Sequence, residues 1–464
     1  DRADRPFEYG YFHTSGSAVL RLPAGRYFVE VSRGLEYQVV NRTVQVAADV
    51  VTPLRVSLPV VDDLEARGWY SGDLHVHMNY GGIYRNDPAR LALQARAEDL
   101  HVVENLIVNK EGRVPDVGYF RPEPDPASSP GTLIVHGEEY HTSYWGHVGL
   151  LGLREHLIMP GYTAYANTAV ASLQPTNARV LDLARAQGGV TGYVHPYDAY
   201  PDPSDTSRAL THALPVDLAL GKVDYYEALG FVDDLMATAA VWYRLLNCGF
   251  RLPAGAGTDA MANFASLRGP VGMNRVFVKS GARLEHRRWL AALKAGRTFA
   301  TNGPLIEMTV GGTEPGGEVL LPSGGGDVTV SVRLRSNVPV DHLELVQDGR
   351  VVQELPIAAD RRSASATTRL TVERSGWLLL RARGANAAYP TLDIFPYATT
   401  SPVYLTVDGR PPRSAEDAKY FLDWIDRMRT SVEAHRDWNN DAERRETLAM
   451  LAQARAEYER RSRE

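Results

Sequence analysis

Gly72-Asp73-Leu74-His75-Val76-His77 alternates apolar and polar residues and ends on two histidines. In a strand, residues two apart face the same side, so His75 and His77 present their imidazoles to one point. Neutral imidazole is a common ligand of zinc and related ions. A His-x-His pair also arises by chance in strands, so its meaning depends on what surrounds it.

Downstream, Gly137-Glu138-Glu139 ends an apolar run, and Gly146-His147 opens the next. Val194-His195-Pro196 sits at another predicted strand end, where the proline stops continuation. Gly255-Ala-Gly-Thr-Asp259 approaches a carboxylate through small residues that leave room for an ion. Taken singly, each has a plain structural reading: Glu138 as a strand-end charge, His147 and His195 as core histidines, Asp259 as a helix cap. Together, His75, His77, Glu138, His147, His195 and Asp259 place metal-ligand chemistry at successive strand ends, and a metal site is the expectation.

The stretches between these residues set the fold class. From about Gly68 to Gly312, short apolar runs at 100–108, 132–135 and 148–152 alternate with helical patterns at 175–187, 232–247 and 284–295. That alternation predicts an α/β layer or barrel of mostly parallel strands, with chemistry at their carboxyl ends. Residues 1–65 read as strands, with period two at Tyr27, Val29 and Val31 and again at Leu54, Val56 and Leu58, and predict a small β-sandwich. A second sandwich is expected over 313–410, where Val328, Val330 and Val332 begin the pattern. Residues 411–464 read as two helices. Ser414 and Asp417 form a capping-box-like start; Phe421, Trp424, Ile425 and Met428 form a stripe; Asn439-Asn440 is the break. Such a stripe is expected to pack on its own chain, with a homo-oligomer contact as the alternative.

Composition excludes some partners. Lys and Arg total 50 against 56 Asp and Glu, a formal charge of −6, which gives no electrostatic reason to expect nucleic acid. No run of eighteen apolar residues suggests membrane insertion. The one cysteine, Cys248, cannot form an internal disulfide and leaves the compartment open. The chain opens on Asp1, so removal of an upstream segment and an extracytoplasmic (periplasmic or secreted) location are the favoured expectation.

Other side chains are secondary candidates. Tyr80, Tyr197 and Lys110 could hydrogen-bond a substrate oxygen, or simply serve the surface. Glu227 could orient a ligating histidine. Arg268 could meet an anion or anchor its loop. His136 and His141 flank Glu138, and alternation can send either away from the site. Tyr193, Trp145 and Trp242 read as core.

As a set, Gly-Asp-Leu-His75-Val-His77, His-Gly-Glu138-Glu, Gly-His147, His195-Pro and Gly-Thr-Asp259 resemble the PHP superfamily of metallohydrolases. Asn247-Cys-Gly-Phe-Arg-Leu-Pro-Ala-Gly-Ala-Gly-Thr-Asp259, Arg268-Gly-Pro-Val-Gly-Met-Asn-Arg275 and Thr301-Asn-Gly-Pro304 are similar to its CehA/McbA branch, named for carbaryl hydrolases. The resemblance covers about residues 66–310. It implies a distorted (β/α)7 barrel over 66–312, flanked by the two sandwiches and the C-terminal helices. It also implies a first metal on His75, His77, Glu138 and Asp259, with Glu138 bridging to a second metal completed by His147 and His195. A third metal of the phosphatase members is not expected. Leu106-Ile-Val108 and Thr258-Asp-Ala-Met261 stand where the motifs carrying its histidines belong; the aliphatic side chains do not ligate a hard cation, and Met261 is a poor ligand for one.

Zinc or manganese is the expected pair of ions, with iron or cobalt also compatible with mixed histidine and carboxylate ligation. The function expected is hydrolysis of a small-molecule carboxylic ester or carbamate by a metal-activated hydroxide, with Asp259 as ligand and proton shuttle. Two readings compete with it. One is phosphodiester or phosphotriester cleavage at the same site; the other is carbohydrate or partner binding by the sandwiches, with the barrel as scaffold.

Overall fold

The computed structural model describes residues 10–81, 84–109, 116–142, 144–159, 163–263, 269–391 and 395–463. It is a mixed α/β structure with seven helices among the described residues.

The N-terminal segment contributes one antiparallel hairpin, β1 (Gly25–Val31) with β2 (Val40–Val46). This is less than the predicted sandwich. Residues 52–59 are extended without a ladder, and Phe28, Val51 and Leu54 are exposed. Alternation alone does not make a layered domain; a two-stranded sheet needs a second apolar surface to become independently stable.

The central region supplies β3 (Trp69–His77), β4 (Val102–Val108), β5 (Leu133–Tyr140), β6 (Val148–Leu151), β7 (Val190–Tyr193), β8 (Tyr225–Leu229) and β9 (Ala254–Ala256), hydrogen-bonded in that order. The pairs β3–β4, β4–β5, β7–β8 and β8–β9 are parallel, whereas β6 is antiparallel to both β5 and β7. Just past β9, β10 (Ala260–Met261) pairs in parallel with β3, so the series of ladders returns to its first strand. Strands β3 to β8 are buried along their whole length except at Leu133, the half-buried first residue of β5, which accounts for their near-continuous apolar runs.

Helices α1 (Pro88–Ala97), α2 (Asn177–Ala186), α3 (Leu214–Ala219), α4 (Leu235–Asn247) and α5 (His286–Lys294) connect these strands or pack beside them. Side-chain caps start most of them: Asp87, Thr176, Asp234 and Glu285 each accept first-turn amides, worth about 1 kcal/mol apiece.

Past the central region, β11 (Arg275–Lys279) pairs with β3, and β12 (Thr298–Thr301) pairs with β11. Then come β13 (Leu305–Val310), β14 (Glu318–Leu321), β15 (Gly326–Arg335), β16 (His342–Gln347), β17 (Arg350–Glu354), β18 (Ser363–Val372), β19 (Gly376–Arg383), β20 (Tyr397–Thr400) and β21 (Val403–Val407). Strands β13, β15 and β18 form a separate three-stranded sheet. The others join the central sheet, because β20 pairs directly with β12. The expected border at 312/313 is therefore not a clean break: β13 belongs with β15, and backbone hydrogen bonds cross from one region to the next. Ile306, Val330, Val332, Leu343, Leu378 and Leu405 share a second core between the two sheets.

Helices α6 (Ala415–Ala434) and α7 (Asp441–Arg463) close the chain. Ser414 Oγ accepts from Asp417 N at 3.1 Å, as the capping pattern predicts. The stripe of Phe421, Trp424, Ile425 and Met428 is buried in the main core with α3 and α4 residues, so it packs on its own chain. Among the described residues, no helix is long and apolar enough to cross a membrane.

Candidate metal centre

One geometric fact gathers the site. The carboxyl ends of β3, β5, β7 and β9 meet the amino end of β6, because β6 runs opposite to its neighbours. His147 therefore reaches the cluster from the start of its strand, while His75, His77 and the β5 carboxylate come from strand ends.

His75 Nε2 and His77 Nε2 lie 3.1 Å apart. Asp259 Oδ1 is 3.0 Å from His77 Nε2 and 3.6 Å from His75 Nε2. Glu139, not Glu138, completes the group. Its Oε2 lies 3.4 Å from His77 Nε2 and 3.7 Å from His75 Nε2. Its Oε1 lies 3.1 Å from His147 Nδ1 and 3.3 Å from His195 Nε2. Three overlapping donor groups follow, each able to hold a metal ion: His75, His77 and Glu139; His75, His195 and Asp259; Glu139, His147 and His195.

Glu138 sits on the opposite face of β5, as strand alternation requires once Glu139 points inward. It is fully buried; Oε2 accepts from Leu157 N at 3.0 Å and lies 3.7 Å from His156, and Oε1 has no hydrogen-bond partner. Burial pushes its carboxyl well above the usual range, with only the Leu157 amide opposing. A neutral carboxyl facing away from the histidines is not part of the cluster. The Glu-Glu doublet carries no local signal to choose between its members; the register of β5 does.

The imidazoles are held from behind. His77 Nδ1 lies 2.8 Å from Leu106 O, which fixes Nδ1 as donor and turns the Nε2 lone pair toward the cluster. Glu227 Oε1 is 3.4 Å from His75 Nδ1, and its Oε2 accepts the His195 amide at 2.7 Å. Asp73, within the opening motif but given no role by the pattern alone, accepts three amides. Oδ1 takes those of His75 (3.1 Å) and Thr258 (2.9 Å), and Oδ2 that of Gly272 (2.7 Å). Arg275 supports that turn by donating to Gly272 O at 2.6 Å. His195 and Asp259 both have positive φ, 27° and 54°. Such backbone costs on the order of 1–3 kcal/mol per non-glycine residue and persists only where neighbours enforce it.

Charge balance fits a cation. Burial disfavours ionised Glu139, yet His75, His147 and His195 outweigh it and hold the carboxyl well below its usual range. Asp259 is likewise held low against burial by His75 and His77. Burial opposes charge on His77, but Asp259 and Glu139 raise it to about 9. His75 is raised well above 6.5 against burial, by Asp259, Glu227 and Glu139. Without an ion, protons on these imidazoles balance the two carboxylates. His77's folded value exceeds its unfolded value of about 6.5, so the metal-free cluster contributes stability below pH 6.5 that is lost as pH rises toward 9. The melting temperature of chelated protein is expected to fall between pH 6.5 and 9, and the fall to shrink in His77→Gln. A flat profile for the parent chain would contradict this balance.

The remaining candidates separate. The Tyr80 ring lies tilted at 42° to that of His77, with centroids 5.0 Å apart, and is half-buried beside the cluster. Tyr197 is buried with its hydroxyl 3.5 Å from His212 Nδ1 and its ring against Trp424, one layer behind the cluster. Lys110 and Arg268 lie outside the described residues. His136 is turned away toward Asn105 and Asp125, whereas the His141 ring lies 3.5 Å from that of His147. Trp145, Tyr193 and Trp242 are core. Sequence reading missed His212, whose ring packs against Gly146.

The His147 and His195 side chains are about one-fifth exposed, while His75, His77 and Glu139 are sealed. The cluster thus has a closed half and an open half. Comparison with family models, curated proteins and solved structures returned no match.

Proposed function

We propose that this chain is a metal-dependent hydrolase of small-molecule carboxylic esters or carbamates, with two divalent ions, zinc or manganese, shared by Glu139. The observation that carries the reading is the division of the Glu139 carboxylate, one oxygen facing His75 and His77 and the other facing His147 and His195. The ladders that return from β10 to β3 support the PHP-type barrel that the motifs suggest.

Divalent ions bound in such a pair polarise a substrate oxygen and make water acidic enough to react near neutral pH. The chain's own groups do the rest. His75, His77 and Asp259 would hold the sealed position; His147 and His195 would hold the open one, where substrate can approach. Asp259, kept ionised by His75 and His77, is suited to hold a cation; it would take up a proton only once ion binding displaces the imidazolium protons that depress its basicity. Glu227 and the Leu106 carbonyl keep the imidazoles aimed. Tyr80, whose ring lies beside that of His77, would be a candidate to meet a substrate oxygen. The preference for a carbonyl over a phosphoryl centre rests on Leu106-Ile-Val108 and Met261, which offer no third set of hard ligands.

Elemental analysis of metal-replete protein should give two equivalents per chain. Chelation should cut aryl acetate or aryl carbamate hydrolysis by at least ~100-fold, with recovery on adding metal back. Absence of bound metal would overturn the reading, and much faster turnover of a bis-aryl phosphate would replace the substrate class.

A further inference from the structure

Two stretches of described residues without helix or strand, 163–176 and 196–213, end on the open half of the site. One runs into α2, whose first residue Asn177 donates from Nδ2 to Gly146 O at 2.9 Å. The other runs through 196–213 into α3 and carries His212. A Cβ on Gly146 would lie 2.5 Å from His212 Nε2, so the imidazole fills the space beside the residue that precedes His147. The seat of His147 therefore depends on both segments.

Neither segment contains a named strand; besides local turns and bonds such as Trp145 Nε1 to Leu173 O, the C-terminal helices supply several of their ties. Arg427 of α6 donates from Nη1 to Pro203 O (2.9 Å) and Asp205 O (2.8 Å), and from Nη2 to Arg208 O (2.7 Å). One planar guanidinium thus gathers three carbonyls of an irregular loop, a fork geometry that lysine cannot copy. Tyr420 donates to Pro201 O, and Trp424 Nε1 to His212 O at 3.2 Å. On the other segment, Ser172 Oγ donates to Glu443 Oε2 of α7 at 2.6 Å, and Gln174 Nε2 to Thr447 Oγ1 at 3.0 Å.

We propose that the α6–α7 hairpin is a positioning element of the metal site, acting through these two segments on Gly146 and His147. Arg427 and Glu443 are its positioning residues. The inference rests on the two-ion reading above. It makes the open position, formed by His147, His195 and Glu139, depend on residues far along the chain, while the sealed position does not.

The test is zinc titration of the full chain by competition with a chromophoric chelator. His147→Ala identifies which of the two affinity classes belongs to the open position, because His147 belongs to that donor group alone. Arg427→Ala should weaken that class about tenfold, in the range found when outer partners of a ligand are lost. The other class should stay within about twofold, and Arg427→Lys should fall between. Glu443→Gln should repeat the selective effect from α7, which keeps the test decisive if Arg427→Ala folds poorly. Arg429→Ala, on the same helix but paired with Asp426, should change neither class. Two classes in the parent chain that both persist in Arg427→Ala and Glu443→Gln, or that weaken together, would overturn the proposal. A parent chain that binds no zinc would instead overturn the two-ion reading.

Discussion

Glu139→Ala is expected to abolish stoichiometric binding of both ions, while Glu138→Gln keeps two equivalents and near-parent hydrolysis. One Glu139 oxygen faces His75 and His77, and the other faces His147 and His195. Removing Glu139 deletes a donor from each position and leaves four imidazoles with Asp259 in front of them and Glu227 behind His75. Loss of outer partners of metal ligands alone costs ~10–100-fold in affinity, so deletion of a shared ligand should exceed about a hundredfold at each position. Glu138 is held neutral by burial, and an amide has nearly the shape of a protonated carboxyl. Glutamine can still accept from Leu157 N, so the substitution leaves β5 in place. Metal content and chelator competition measured on both variants decide the matter. Retained metal in Glu139→Ala, with loss in Glu138→Gln, would reverse the assignment.

That pair of variants also marks the limit of what the sequence discloses. His75, His77, His147, His195 and Asp259 were legible because each has a distinctive neighbour: an alternating partner, a preceding glycine, a following proline, a run of small residues. The helices were legible for similar reasons, since caps and apolar stripes are local. Glu138 and Glu139 differ only in which face of β5 they occupy, and that face is fixed by pairing with β4 and β6, a nonlocal fact. Asp73 lay in plain view inside the motif. Its three accepted amides come from residues 75, 258 and 272, so its work becomes visible only when distant turns meet. His212 was invisible for the same reason, as it reaches Gly146 across an irregular loop that carries no periodicity. In the N-terminal segment the alternation is real, but among the described residues its strands form a two-stranded sheet, β1 with β2, where a sandwich was expected. The C-terminal strands kept their predicted pattern yet crossed the expected border, because β12 and β20 pair edge to edge.

Gly257→Ala is expected to disable the site while leaving the rest of the chain folded. Gly257 lies between β9 and the turn that carries Asp259. A methyl there would stand 2.4 Å from His75 Cβ, 2.5 Å from Glu227 Oε1 and 3.1 Å from His75 N. None of these neighbours can retreat freely. The His75 amide is tied to Asp73, Glu227 is tied to the His195 amide, and β3 is buried along its whole length. Two of the three contacts are with backbone or the first side-chain carbon, so rotation of a flexible end offers no relief. Overpacking of a close-packed interior costs typically about 1–3 kcal/mol. Here the displaced groups are a metal ligand and the carboxylate behind it. The strain should therefore appear as lost ion binding, on the order of a hundredfold at the position containing His75. It should also appear as a lower denaturant midpoint for the metal-free chain. Gly188, before the amino end of β7, where an added Cβ meets nothing within 4 Å but φ is +83°, provides the contrast. Gly188→Ala should cost about 1 kcal/mol through its left-handed backbone alone and leave metal content at parent level. Equal metal binding by Gly257→Ala and the parent chain would show that β9 can move away from His75, and that the backbone around the cluster is not what holds its ligands in place.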